Sequence, residues 1–168
     1  MKIKILATVA SALALFSVGL ASTAHAVQPV ANKDIYKIVV LQGAPTIKTW
    51  DLQEYAPGAT ETIFGAKLTT TKGKASGFIT GSIISDEIIQ VGANGEYRHR
   101  TLTFTLPAGQ ILAKGNSFYP SGQAELSFNE SATIAVIGGT GKYLGANGEV
   151  KTTRKADGTY RHVFTLLK

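Results

Sequence analysis

The chain has 168 residues, no cysteine and a formal net charge of +6. Without cysteine there is neither a disulfide nor a thiol nucleophile, so an apolar core and hydrogen-bond ladders must hold the fold. The basic excess thickens only at Arg98-His99-Arg100 and from Lys151 to Arg161, without a dense stripe of cations and stacking aromatics; this speaks against nucleic-acid binding and reads as solvated strand faces.

In chain order, residues 1–26 read as an export signal. Lys2 and Lys4 form a basic start, Leu6 to Leu20 is apolar, and Ala24-His25-Ala26 fits an A-x-A cleavage site. Its removal leaves 168 − 26 = 142 residues, and 17 − 2 = 15 basic against 11 acidic side chains, a net +4. That length suits one domain with a single core. No later segment reaches the ~18 uncharged apolar residues of a membrane-spanning helix. The mature protein is therefore expected to be exported to the periplasm or the medium.

Beyond residue 27 the pattern is β-branched alternation and not helical periodicity. Candidate strands are Ile35–Leu41, Ile47–Gln53, Thr62–Thr71, Ser76–Ser85, Tyr97–Leu106, Gln110–Tyr119, Thr133–Ile137, Gly148–Lys155 and Thr159–Leu167. The first lies in an N-terminal segment, 27–46, as a possible extra strand; the others form the domain proper, 47–168. Short strands between turn signals indicate an all-β barrel or sandwich. Ala93-Asn94-Gly95-Glu96, Ala146-Asn147-Gly148-Glu149 and Ala156-Asp157-Gly158-Thr159 share one turn spelling, which predicts two-residue type I′ hairpins needing φ > 0 at both positions. An echo runs beside them. Tyr97-Arg98-His99 recurs at Tyr160-Arg161-His162, offset by 63, whereas Phe104-Thr105-Leu106 recurs at Phe164-Thr165-Leu166, offset by 60. The difference is odd, and an odd slip puts equivalent residues on opposite sheet faces unless a bulge absorbs it, so this is read as a reused strand idiom and not as a repeat.

The run Ile137-Gly138-Gly139-Thr140-Gly141-Lys142-Tyr143-Leu144-Gly145-Ala146-Asn147-Gly148 imitates a phosphate loop. A dinucleotide fingerprint needs a following helix and further βαβ units, and only 27 residues follow Gly141. A P-loop needs Ser or Thr after the lysine to hold magnesium, and residue 143 is Tyr. The glycines are read instead as letting the chain turn closely between two late strands, with Tyr143 over the barrel end.

This stretch, continued through Tyr160-Arg161-His162-Val163-Phe164 to Lys168, resembles the C-terminal part of the allene oxide cyclase and dirigent-protein superfamily, which carries a similar glycine motif between late strands. Trp50-Asp51-Leu52-Gln53-Glu54 resembles the opening strand of the cyclase, Phe78-Ile79-Thr80-Gly81-Ser82 its third strand, and Ala113 to Tyr119 a later one. The resemblance spans about Lys48 to Lys168 and implies a single eight-stranded antiparallel β-barrel, with Gly138, Gly139, Gly141, Gly145 and Gly148 as its fold motif. It also implies a lumen that orients a small apolar or aromatic molecule. The catalytic glutamate of the cyclase falls on Asp51 and its neighbouring asparagine on Gln53. Its second asparagine falls on Ala66, and the dirigent arginine on Asn147, so neither activity carries over whole.

Asp51 and Gln53 share one face of their strand. Facing the lumen, a desolvated Asp51 would serve as acid or base; facing outward, it is an ordinary solvated residue. Tyr119 and Tyr143 are candidates to hydrogen-bond a ligand, or to plug the barrel with wet hydroxyls. His99 and His162 lack metal-ligand spacing, so no metal is expected, nor any cofactor. Asn129-Glu130-Ser131 is a glycosylation sequon only in a host that glycosylates. The expected function is binding of a small hydrophobic ligand, with a cyclase or isomerase using Asp51, and an interaction barrel with a filled lumen, as alternatives. A homo-oligomer is a possible partner arrangement.

Overall fold

The structure is a computed structural model that describes residues 34–52, 54, 58–85 and 94–167; the expected export signal and Gln53 lie outside them. The barrel belongs to the compact unit Asn32–Lys168. Nine strands follow one another: β1 (Ile35–Gln42), β2 (Thr46–Asp51), β3 (Thr60–Thr69), β4 (Ala75–Ser85), β5 (Gly95–Leu106), β6 (Gly109–Pro120), β7 (Ser131–Gly139), β8 (Asn147–Arg154) and β9 (Tyr160–Leu167). Each expected strand coincides with one of them to within a few residues at its ends.

Every pairing is antiparallel, and the sheet order is β1-β9-β8-β7-β6-β5-β4-β3-β2 with β1 also meeting β3. That last contact closes an eight-stranded barrel and leaves β2 as a ninth strand on the edge of β3. β1 pairs with β9 from Ile35↔Leu167 to Gln42↔Tyr160. Its last residues, Leu41 and Gln42, also face Thr69 and Leu68 of β3. Pro45, which has no N–H to give a ladder, separates β1 from β2. β2 then runs on along β3 from Thr46↔Gly65 to Asp51↔Thr60.

The turn chemistry corrects the sequence expectation. Asn129 is the one non-glycine with positive φ among the described residues, so Asn94, Asn147 and Asp157 cannot be the first central residue of a type I′ turn. Asn147-Gly148 opens β8, and β7 is joined to β8 by a 3-10 turn at Gly141–Tyr143. At Asp157-Gly158 the loop has three residues. Gly158 takes φ 79° while Lys155 N–H bonds Thr159 O at 2.8 Å, the geometry of a type I turn followed by a left-handed glycine. In the glycine run, Gly139 is required by space. A Cβ there would come within 2.5 Å of Tyr143 O and 2.6 Å of Gln110 O.

Inward side chains divide by level. At the end where β5 meets β6 through Leu106↔Gly109, the lumen is filled by Leu68, Ile79, Leu102, Phe104, Leu106, Ile111, Val136, Val150, Phe164 and Leu166, all buried. Phe104 meets Phe164 edge-on with centroids 4.8 Å apart. Tyr143 caps this end, packed against the core.

Candidate functional site

The other end of the lumen is polar, and strand periodicity explains how. On β5 the residues that alternate with the core positions Leu102, Phe104 and Leu106 continue as Arg100, Arg98 and Glu96. Phe164 and Leu166 of β9 continue as His162 and Tyr160, Val150 of β8 as Thr152 and Arg154, and Ala113 of β6 as Ser117 and Tyr119. Arg98 and Arg100, read from the sequence as solvated strand faces, therefore point into the barrel, and Arg100 is only 4% exposed.

Most of these groups have partners. The fully buried His162 bonds Thr152 Oγ1 through Nδ1 and Gln42 Oε1 through Nε2, each at 2.9 Å. Burial, reinforced by the positive charge of Arg100, pushes its pKa down to about 3, so the ring is neutral. Glu96 accepts from Ser85 Oγ and from Arg98 Nε, both at 2.6 Å, and forms an ion pair with Arg98; the Arg98 guanidinium lies over the Tyr119 ring at 4.6 Å. Arg154 pairs with Glu125 at 2.6 Å and donates to Leu126 O at 2.8 Å. Tyr160 donates its hydroxyl to the same carboxylate at 2.7 Å. Burial and that bond raise the Tyr160 pKa well above the ordinary tyrosine value, and burial raises that of Tyr119.

Arg100 differs from the other two inward arginines. Among the described residues its one hydrogen bond runs from Nη1 to Ser117 Oγ at 3.3 Å, its buried Nε–H has no partner, and no carboxylate pairs with it. Guanidinium cannot shed its proton as histidine does, so a positive charge stays in the lumen.

Arg100 lines a cavity of about 30 Å³ with Gln42, Phe64, Tyr119, Leu126 and Tyr160, room for about two waters. A larger cleft lies next to it. β6 and β7 pair only from Ile111↔Gly139 to Lys114↔Ala135 and then diverge, leaving about 520 Å³ lined by Asn116, Ser117, Phe118, Ala132, Thr133 and Leu126. Leu126, 4% exposed, is common to both spaces. It sits on the β6–β7 connection, beside the Glu125 held by Arg154 and Tyr160.

The expected site residues fall in different places. Tyr119 is buried at the polar end and lines the small cavity. Asp51 belongs by register to the inward set with Ile47 and Thr49, and Thr49 Oγ1 lies 2.9 Å from Thr62 Oγ1. At the end of β2, however, Asp51 is exposed, so it lacks the desolvated setting that an acid–base role was expected to draw on. Tyr143 is at the opposite, apolar end, and Tyr119 and Tyr143 do not share a site. Sequence reasoning missed Gln42, Glu96, Arg98, Arg100, Glu125, Arg154 and Tyr160; for the strand residues the available signal was their parity with the core positions. Among the described residues no group of His, Asp and Glu could hold a metal ion, and no helix is long and apolar enough to cross a membrane.

No protein-family model matches the chain, and no curated protein matches it in sequence. The fold is similar to that of solved barrels. One is described as a pyocyanin demethylase, 23% identical, TM-score 0.60, covering 78% of this chain and 99% of that one. Another is AbnU, described as an exo-specific intermolecular Diels–Alderase, 13% identical, TM-score 0.60, covering 79% and 98%. A third is the Diels–Alderase AbmU from Streptomyces koyangensis, 11% identical, TM-score 0.58, covering 83% and 70%.

Proposed function

We propose that the protein is an exported barrel that binds a small apolar or aromatic molecule at the polar end of its lumen. One observation carries the reading: the inward positions of half the barrel hold a buried polar and charged constellation where apolar filling, as at the other end, would serve stability better. The fold's likeness to barrels named for chemistry on small molecules supports it. The 30 Å³ cavity alone is far below the ~300 Å³ of a ligand pocket. Leu126 lines both this cavity and the 520 Å³ cleft, and with its side chain displaced the two would form one space of ligand size. In this reading the apolar body of the ligand lies against Phe118 and Ala132 in the cleft and its polar end reaches the lumen floor. Orientation of a reactive molecule in such a space would also suffice for a cyclase or isomerase, but Asp51 at the exposed rim gives that alternative no specific support.

The test is native mass spectrometry of the protein from the envelope of its own host, together with ligand-panel thermal shifts on the wild type and Leu126→Ala. A co-purifying small molecule, and stabilisation by aromatic compounds that increases in Leu126→Ala, are expected. An empty protein that no compound stabilises in either form refutes the reading and favours an interaction barrel.

A further inference from the structure

From the unpaired Arg100 we infer that the ligand is an organic acid, an apolar or aromatic body carrying one carboxylate, and that this carboxylate binds the free edge of the Arg100 guanidinium. The inference rests on the lumen-binding reading and adds the chemical class. Three arginines face the polar half of the barrel. Arg98 is neutralised by Glu96 and Arg154 by Glu125, each at 2.6 Å. Arg100, the most buried of the three, has no carboxylate partner among the described residues. Among the described residues the charge missing from this arrangement is a single negative one, which a monocarboxylate supplies and a phosphate dianion would exceed.

Geometry narrows the class further. With Nη1 engaged by Ser117, the side of the fork formed by Nε and Nη2 has no described partner, and its Nε–H is buried. Two parallel N–H donors match the two oxygens of a carboxylate. Ser117 lines the cleft and Arg100 the small cavity, so an acid group entering past Leu126 arrives at this edge while its body stays in the cleft. Glu125 does not compete, because both its oxygens are taken by Arg154 and Tyr160. The neutral His162, held by Thr152 and Gln42, supplies no counter-charge.

The experiment titrates full-length wild type and Arg100→Met with benzoate and benzamide, and with octanoate and octanamide, following lumen resonances by NMR. Acids are expected to bind the wild type about tenfold or more tighter than their amides, from a charge-assisted bidentate pair, and to lose that preference in Arg100→Met. On the wild type alone, the Arg100 Nε–H signal is expected to shift with benzoate and not with benzamide, a readout that holds even if Arg100→Met fails to fold. Equal binding of acid and amide, or a preference that survives Arg100→Met, overturns the inference and leaves lumen binding standing. No lumen response to either class overturns both.

Discussion

The neutral, buried His162 makes the barrel's stability depend on pH in a calculable way. Among the described residues its ring hydrogen-bonds only Thr152 and Gln42, and burial with the nearby Arg100 charge holds its pKa at about 3, against 6.5 for an ordinary histidine. Between those values the unfolded chain binds a proton that the folded chain refuses, so stability falls as pH drops from 6.5 towards 3. By pH 5 this one group costs about 2 kcal/mol, and each further unit about 1.4 kcal/mol until pH 3. The perturbation is His162→Gln, which keeps hydrogen-bonding capacity toward Gln42 and Thr152 and removes the titration. Urea unfolding at pH 7 and pH 5 on both proteins isolates the effect, since every other titrating group is shared. The wild type should lose about 2 kcal/mol more than the variant between the two pH values. Equal losses would show that His162 is either protonated in the fold or not sealed from solvent, and would refute the reasoning.

Gly139→Ala brings a Cβ against two backbone carbonyl oxygens, at 2.5 and 2.6 Å, whereas Gly138→Ala meets nothing within 4 Å; the first should cost about 2 kcal/mol or more and the second under about 0.5 kcal/mol in urea unfolding. Glu96→Gln leaves Arg98 without its charge partner and should cost about 1–2 kcal/mol, a figure reduced for the partial exposure of the pair, with the loss read as a lower urea midpoint at unchanged slope. Phe104→Ala removes a fully buried ring that touches Phe164 and His162 edge-on, at a cost of about 3–5 kcal/mol, measurable in the same assay.

The strands were legible because each keeps a period of two against one core. The echo shows how far parity reaches: Tyr97 is exposed and Tyr160 buried, His99 exposed and His162 buried, while Phe104 and Phe164 are both buried, as offsets of 63 and 60 require. The hairpin types were not legible. Asn-Gly permits a type I′ turn, but the path between β7 and β8 is set by the 3-10 turn at Gly141–Tyr143 packing on the barrel end, and Asn147 is drawn into the β8 ladder opposite Leu167. Nor does the sequence say that Ile35–Gln42 meets Leu68 and Thr69 to close the barrel, because that contact depends on the sheet's accumulated twist and not on any local signal.

The site was half legible, and the missing half is instructive. Parity alone, carried back from Phe104 and Leu102, turns Arg100, Arg98 and Glu96 inward; carried back from Phe164, it turns His162 and Tyr160 inward. What parity cannot supply is which charges meet. Glu96 and Arg98 lie two apart on one strand and so share a face, but Glu125 reaches Arg154 from a loop 29 residues away, and Gln42 reaches His162 across 120 residues and the closing seam. Only after those distant partners are placed does Arg100 stand out, among the described residues, as the inward arginine that no carboxylate reaches. A barrel selected for stability alone would gain by an aliphatic side chain there, since an unpaired buried charge is among the more expensive things a core can hold. Its place at the polar end of a lumen whose other end is filled, among the described residues, by buried apolar side chains divides the barrel into a half that holds the fold together and a half that the proposed function draws on.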